Sequence, residues 1–274
     1  MTNTIDTPQP AIAIADLSVC YGRKTVLQGL SATIESGACY AVMGPNGCGK
    51  TTLLRCIGGL MEPAGGSVEL CGRPVHSYPA RELARRVAYV QQHPLRDIEF
   101  TAYETVMTGR NPYQRNLHGE SEADRQAVEQ AMLQTNTWHL RNTRTDRTSG
   151  GELQRIALAR AIAQQTPVML LDEPVSNLDI AHQFDILSLL AGIEGKTVLI
   201  VIHDLNLALR YCPRLLLLSG GGVVYQGSTA DGLTPENIKH VFGVEAEVDN
   251  GWVRILGRSK KQPATQTADN QPLK

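Results

Sequence analysis

The sequence predicts an α/β fold in three parts: a core of apolar strands alternating with helices, a small antiparallel β-subdomain, and an all-helical subdomain over about 93–164. Three observations predict it. Short apolar runs at 38–43, 87–90, 168–171 and 197–202 have the length and composition of strands buried on both faces of a parallel sheet. A glycine-rich stretch joins the first of these runs to an apolar helical segment at 51–60. From about 93 to 164 strand patterns stop and helical ones replace them. The 274 residues suffice for one large domain, expected over 1–257, and the polar, aperiodic 258–274 reads as a disordered tail.

Taken in order, 11–19 and 29–34 read as strands with Tyr21 and Gly22 between them, and 67–70 as a third, closed by Cys71-Gly72. The run 38–43 then leads into Gly44, Pro45, Asn46, Gly47, Cys48, Gly49, Lys50, Thr51 and Thr52, which fits the phosphate-loop pattern G-x-x-x-x-G-K-[ST]. Strand before and helix after are the context that pattern requires. The glycines let successive N–H groups curl inward around phosphate oxygens, and the helix start adds partial positive charge. Lys50 then reaches the β and γ phosphates, and the Thr51 hydroxyl is placed for Mg²⁺. Tyr21, just upstream of this core, offers a ring on which a base could stack.

A basic helix at 80–86 precedes the strand 87–90, which ends in Gln91-Gln92; polar groups at the carboxyl end of such a strand face the ligand crevice. Helices follow at 101–108 and 121–135, the second opened by a Ser121-x-x-Asp124 cap and carrying Val128, Ala131 and Met132 on one face. The subdomain closes with Ser149-Gly150-Gly151-Glu152 ahead of a helical stretch at 156–164. This is a second candidate anion site, with small residues leaving N–H groups exposed and Ser149 able to donate a further hydrogen bond. The strand 168–171 ends in Asp172-Glu173: Asp172 stands where a Mg²⁺ partner is wanted and Glu173 where it can polarise a water. Asp179 reads as the N-cap of a helix at 180–191, and 197–202 as a strand ending in His203. Strands at 215–218 and 223–226, a helix opened by Thr234-Pro235, and an Asn250-Gly251 hairpin complete the chain.

Composition narrows the functional classes. With 26 Lys+Arg against 27 Asp+Glu there is no electrostatic case for nucleic acid as a partner. Cys20, Cys39, Cys48, Cys56, Cys71 and Cys212 show no C-x-x-C spacing and read as reduced core residues of a cytosolic protein. No signal-peptide pattern opens the chain, and no apolar run of about 18 residues occurs, so it is not expected to span a membrane by itself.

In order and spacing, 44–52, Gln92, 149–152, 170–173, 176–179 and His203 resemble the ATP-binding subunit of ATP-binding-cassette (ABC) transporters, over roughly 11–257. The resemblance implies a P-loop NTPase with a RecA-like core and an ATPase that hydrolyses ATP to drive translocation. It implies that Tyr21 stacks on adenine, that Lys50 and the loop amides hold the phosphates, and that Thr51, Gln92 and Asp172 surround Mg²⁺ and the attacking water. Glu173 is then the general base and His203 the γ-phosphate contact. It also accounts for the second anion site, because Ser149, Gly150, Gly151 and Glu152 of one subunit cover the ATP of the other in a head-to-tail homodimer. Two transmembrane permease subunits and an extracytoplasmic substrate-binding protein complete the implied assembly, with this chain peripheral on the cytoplasmic face of the inner membrane. A coupling helix of the permease is expected against exposed residues of 92–103.

Within that family, 203–208, 178–183, 234–237 and 241–244 resemble the importers of iron-siderophores, haem and vitamin B12, which points to ferric siderophore as cargo with haem or cobalamin as the alternative. Soluble ABC ATPases of DNA repair or translation carry a long coiled-coil insertion or two cassettes, and this sequence shows neither. Four positions depart from the family pattern: Thr148, Glu152, Gln91 and Cys48 stand where Leu, Gln, Pro and Ala are usual. Placed at a helix N-terminus, the Cys48 thiol is expected to have a lowered pKa and to block ATP binding when alkylated.

Overall fold

The computed structural model describes residues 10–92, 99–114, 119–176 and 178–259. The expectations that fall on 1–9, 93–98, 115–118, Asn177 and the tail from 260 onward lie outside the described residues.

The first strands are β1 (Ile12–Tyr21) and β2 (Lys24–Ile34), both longer than the apolar pattern indicates, because their outward faces are polar while Ile12, Leu17, Leu27 and Ile34 are fully buried. A Gly22-Arg23 turn pairs Tyr21 with Lys24. The short β3 (Cys39–Met43) runs into the glycine-rich loop and α1 (Lys50–Ile57). Then come β4 (Gly65–Leu70), β5 (Arg73–Pro74), α2 (Ala80–Leu83) and β6 (Val87–Val90). Strands β2, β1, β4 and β5 pair antiparallel in that order as a four-stranded sheet.

Helices α3 (Ala102–Met107), α4 (Glu122–Gln134) and α5 (Gly150–Ala163) follow. They pack on their own core, in which Val106, Val128, Met132 and Ile156 are fully buried. Both α4 and α5 open with reciprocal caps: Ser121 Oγ accepts from Asp124 N at 3.1 Å, and the Asp124 carboxylate accepts from Ser121 N at 3.2 Å. Asp124 also anchors the subdomain from within. Its Oδ1 accepts from Arg110 Nε at 2.9 Å, both side chains being only 7% exposed, and Arg110 donates further to the Ala163 carbonyl and to Gln165.

Removing one partner of such a pair strands the other charge in the interior, so Asp124→Ala is expected to cost about 3–5 kcal/mol in urea unfolding. An unchanged urea midpoint would show that the pair does not hold the subdomain. Burial raises the Asp124 pKa, but hydrogen bonds from Ser121 and Arg110 outweigh it and leave the group below its ordinary value. Its contribution to stability is therefore present above the unfolded-state pKa and is lost as pH falls through the lower folded value.

The chain then re-enters the core as β7 (Val168–Asp172), α6 (Ile180–Ala191) and β8 (Thr197–Val201). After these come α7 (Leu205–Tyr211), β9 (Arg214–Ser219), β10 (Gly222–Ser228), α8 (Thr229–Gly232), α9 (Pro235–Phe242) and the hairpin β11 (Val244–Asp249) and β12 (Trp252–Arg258). The main sheet has the order β10-β9-β3-β8-β7-β6, with β10 antiparallel at its edge and the other five strands parallel. Every residue of β7 and β8 is buried, which is why these strands read as continuous apolar runs, whereas the edge strand β10 is half-buried.

Two differences from the sequence reading have local causes. Helix α5 starts at Gly150, not near 156, because the Ser149/Glu152 cap brings both glycines into its first turn. Helix α7, absent from the sequence reading, starts two residues after His203, where Asp204 caps it by accepting from Asn206 N at 2.8 Å and Leu207 N at 2.9 Å; Leu205, Ala208, Leu209 and Cys212 form its core face. Among the described residues, no helix is long and apolar enough to cross a membrane.

Candidate functional site

Strand order decides where the predicted residues meet. Strands β3, β8, β7 and β6 are consecutive neighbours, and from their carboxyl ends come the glycine-rich loop, His203, Asp172-Glu173 and Gln92 respectively. Four segments spread over more than 150 residues therefore converge on one edge. Of these, Lys50, Gln92, Glu173 and His203 line an open cleft of about 620 Å³ together with Tyr21, Lys24, Val26, Asn46, Gly47, Gly49, Thr51 and Thr52.

The loop itself leaves no room for side chains at two glycines. At Gly44 (φ +151°) a Cβ would lie 2.3 Å from the Leu218 carbonyl oxygen, and at Gly49 (φ +104°) 2.3 Å from a Leu27 methyl. As the N-cap of α1, Gly49 carries no side-chain acceptor, so the first N–H groups of that helix have no side-chain cap competing with a phosphate. Lys50 is 7% exposed and its Nζ donates to the carbonyls of Gly44 at 2.8 Å and Pro45 at 3.0 Å. The loop thus holds its own cation at the base of the cleft.

Asp172 is 2% exposed; its Oδ1 accepts from Thr51 Oγ1 at 3.1 Å and its Oδ2 from Tyr89 OH at 3.3 Å. Burial raises its pKa above the ordinary carboxylate value, and the adjacent Glu173 charge pushes the same way against the Thr51 hydrogen bond. Burial and Asp172 push the Tyr89 hydroxyl up to about 12, which keeps it a donor. Glu173 sits just past the end of β7 at φ +49°, a left-handed conformation uncommon for a residue with a side chain. That turn puts its two oxygens between two nitrogens: Gln92 Nε2 donates to Oε2 at 2.8 Å, and His203 Nε2 lies 2.7 Å from Oε1. Tyr21, 45% exposed at the hairpin end, stands on the cleft wall with Lys24.

Not every predicted residue joins this cleft. Gly44, Pro45, Cys48 and Asp172 do not line it; nor does Gln91, and neither do Ser149, Gly150, Gly151 and Glu152. Those four form the start of α5, where Ser149 Oγ accepts from Glu152 N at 3.3 Å and the Glu152 carboxylate accepts from Ser149 N at 2.8 Å. Hydrogen bonding from Ser149 holds the Glu152 carboxyl below its usual range. The Ser149 hydroxyl takes part in that bonding, while the first-turn amides of Gly150 and Gly151 have no acceptor within the helix.

The lowered pKa expected for Cys48 is overturned. Its side chain packs inward, 6% exposed, against the site where a Gly44 Cβ would be, and burial raises the thiol pKa despite Lys50 and the loop amides. Desolvation of the thiolate exceeds the helix-start stabilisation. Iodoacetamide is accordingly expected to label the exposed Cys20 and Cys71 first and to leave Cys48 unmodified in the folded protein, as peptide mass spectrometry will show. Early labelling of Cys48 would reverse this correction.

Two residues lining the cleft, Lys24 and Val26, escaped the sequence reading, and so did Tyr89, the partner of Asp172 behind it. Lys24 is brought opposite Tyr21 only by the hairpin register, and Tyr89 reaches Asp172 only because β6 and β7 pair as neighbours. A Tyr-x-x-Lys spacing around Gly22 was the available signal for Lys24; for Tyr89 there was none.

The family profile described as ABC transporter matches residues 27–176. The chain is 40% identical over 235 residues to the ferric enterobactin transport ATP-binding protein FepC of Escherichia coli (strain K12), covering 85% of this chain and 87% of that one. It is 41% identical over 243 residues to the hemin import ATP-binding protein HmuV of Bordetella avium (strain 197N), covering 85% and 92%. Its fold superposes on a chain of a metal-chelate type ABC transporter in an inward-facing conformation with a TM-score of 0.74 at 29% identity, covering 90% and 96%. With a phosphate loop, an acid pair and a histidine meeting at one sheet edge, and relatives of this similarity over nearly their whole length, the chain belongs to the ABC transporter family as an ATP-binding, ATP-hydrolysing subunit.

Proposed function

We propose that this subunit energises uptake of a ferric siderophore across the cytoplasmic membrane, with haem or cobalamin as the alternative cargo. The observation that carries the catalytic part is the clamp on Glu173 by Gln92 and His203 beside the phosphate loop. In this reading Glu173 is the general base. Two nitrogens orient its carboxylate toward the cleft, and it takes a proton from the water that attacks the γ-phosphate. His203 serves as the γ-phosphate contact by exchanging the Glu173 oxygen for a phosphate oxygen. Tyr21 stacks on the adenine, and Gly44 to Thr52, with Lys50, holds the phosphates.

The donor set at Asp172 suits Mg²⁺. A carboxylate oxygen and the Thr51 hydroxyl meet 3.1 Å apart, both hard oxygen ligands, in a place where burial disfavours an unneutralised charge. Thr51, Asp172 and Gln92 would hold the ion, which when bound neutralises charge on the β and γ phosphates.

The separation of Ser149–Glu152 from the cleft supports a head-to-tail homodimer in which those residues close over the nucleotide of the partner copy. ATP bridging the two halves then favours the closed state, and hydrolysis releases it, moving the helical subdomains at 93–164 and the two permease subunits docked on them. An external substrate-binding protein delivers the cargo, and the chain works as a peripheral protein on the cytoplasmic face of the membrane. The cargo assignment rests on the relatives named above, which serve ferric enterobactin and hemin.

The decisive experiment compares ATPase activity of the purified chain alone with that of the chain reconstituted with its permease and binding protein. Stimulation by ferric siderophore, absent with haem or cobalamin, is the expected result. Stimulation by haem or cobalamin alone would transfer the cargo. Vigorous hydrolysis indifferent to any membrane partner would overturn the transport role.

A further inference from the structure

Away from the nucleotide cleft the main sheet holds a pair of thiols that nothing in the ATPase mechanism uses. Cys39 opens β3 and Cys212 closes α7 just before β9, the neighbour of β3 in the sheet, and the two sulfurs lie 3.8 Å apart. The backbone on both sides is held. The carbonyl of Ala38 accepts from Val198 N at 3.0 Å, Cys212 N donates to Ala208 O at 2.9 Å, and the Cys212 carbonyl accepts from the Thr229 hydroxyl. Cys212 is fully buried, whereas Cys39 is only half-buried and open to a small reagent. The other four cysteines make no comparable sulfur–sulfur contact: Cys20 faces the Thr25 hydroxyl, Cys71 is exposed, and Cys48 and Cys56 are buried singly.

We propose that Cys39 and Cys212 are a peroxide-oxidisable dithiol whose disulfide staples the root of the phosphate-loop strand to the junction of α7 and β9. An ordinary S–S bond is about 2.05 Å long, so closure asks the two sulfurs to approach by about 1.8 Å through side-chain rotation on backbones already in place. Cys39 reacts first. The contact with the neighbouring thiol lowers its pKa, while the same contact and burial raise that of Cys212. The Cys39 thiolate attacks hydrogen peroxide; an S–O bond forms, the O–O bond breaks and hydroxide leaves with the thiol proton as water. Cys212 then attacks the Cys39 sulfenic sulfur. The S–S bond forms, the S–O bond breaks, and the Cys212 proton leaves with the hydroxyl as a second water. The sulfur pair loses two electrons and the peroxide gains them. Because the bridge closes a loop of more than 170 residues, it restricts the unfolded chain strongly, and neither cysteine lines the cleft.

The test uses full-length protein in which the exposed thiols are removed by Cys20→Ser and Cys71→Ser. After hydrogen peroxide, alkylation in denaturant is expected to label two cysteines per chain instead of four. A peptide pair joined through Cys39 and Cys212 should appear about 2 Da below the sum of its parts. Tm should rise by about 5–15 °C, and dithiothreitol should reverse all three changes. Adding Cys212→Ser should leave a dimedone-reactive sulfenic acid at Cys39 and no rise in Tm. If that variant does not fold, Cys39→Ser should keep three labelled cysteines after peroxide and likewise show no rise. Four labels per chain after peroxide, or a cross-link between other cysteines, would overturn the proposal.

Discussion

Glu173→Gln is expected to lower ATP turnover by about 10²–10⁴-fold while leaving ATP binding intact. The substitution keeps the volume of the side chain, so the left-handed turn after β7 is disturbed little; its one remaining oxygen accepts from Gln92 Nε2, and its amide nitrogen donates to His203 Nε2 in the tautomer that leaves that nitrogen bare. What it removes is a carboxylate able to take a proton from water. ATP held without hydrolysis keeps the bridge between two copies in place, so size-exclusion chromatography in ATP should show a stable dimer that the wild type forms only transiently. Turnover close to wild type would take Glu173 out of the role of base. Weak nucleotide binding in the variant would instead place Glu173 among the ligands of ATP.

Lys50→Ala is expected to act earlier, on binding itself. The ammonium is nearly enclosed by the loop and meets two of its carbonyls, so it sits among the amides that face the phosphates. Charge-assisted hydrogen bonds are worth about 1.5–3 kcal/mol each, and losing the two that Lys50 would make to the β and γ phosphates weakens ATP binding by about 10²-fold or more. Titration with a fluorescent ATP analogue measures this directly. Because Lys50 also satisfies the Gly44 and Pro45 carbonyls, the urea midpoint of the variant is needed alongside, and Lys50→Arg provides a cation of different shape. An unchanged affinity would show that Lys50 serves the loop's structure and not the nucleotide. Together the two variants separate the steps: one loses turnover with binding kept, the other loses binding.

Much of the site was legible because its residues are tied to strand ends. Asp172, Glu173, His203 and Gln92 each follow a continuous apolar run, and such a run is a buried parallel strand whose carboxyl end opens on the crevice. The phosphate loop was legible because its glycines have steric causes, seen at Gly44 and Gly49, that no other residue meets. Helix α7 was missed because it is only seven residues long and directly follows His203, although Asp204 caps it and Leu205, Ala208, Leu209 and Cys212 share a face; tertiary contacts add to its hold. Asn206, for example, exchanges two hydrogen bonds with the backbone of Val253 in the last hairpin. Cys48 misled for another reason. Its position at a helix start is written in the sequence, but its direction is not, and the inward rotamer makes desolvation the larger effect.

The sequence by itself determined the local chemistry of this protein: a loop that wraps phosphate, an acid pair, a histidine, and the alternation of strands and helices that carries them. Those properties depend on neighbours a few residues away, where covalent geometry and periodicity rule. Tertiary structure alone decided which groups touch. The order β3-β8-β7-β6 brings Gln92 and His203 onto the two oxygens of Glu173, the pairing of β6 with β7 sets Tyr89 on Asp172, and the meeting of β3 with the start of β9 puts Cys39 beside Cys212. Such contacts join residues up to 173 positions apart and exist only once the buried faces of the sheet have fixed its strand order, since apolar burial acts on whole surfaces and leaves no mark at a single position.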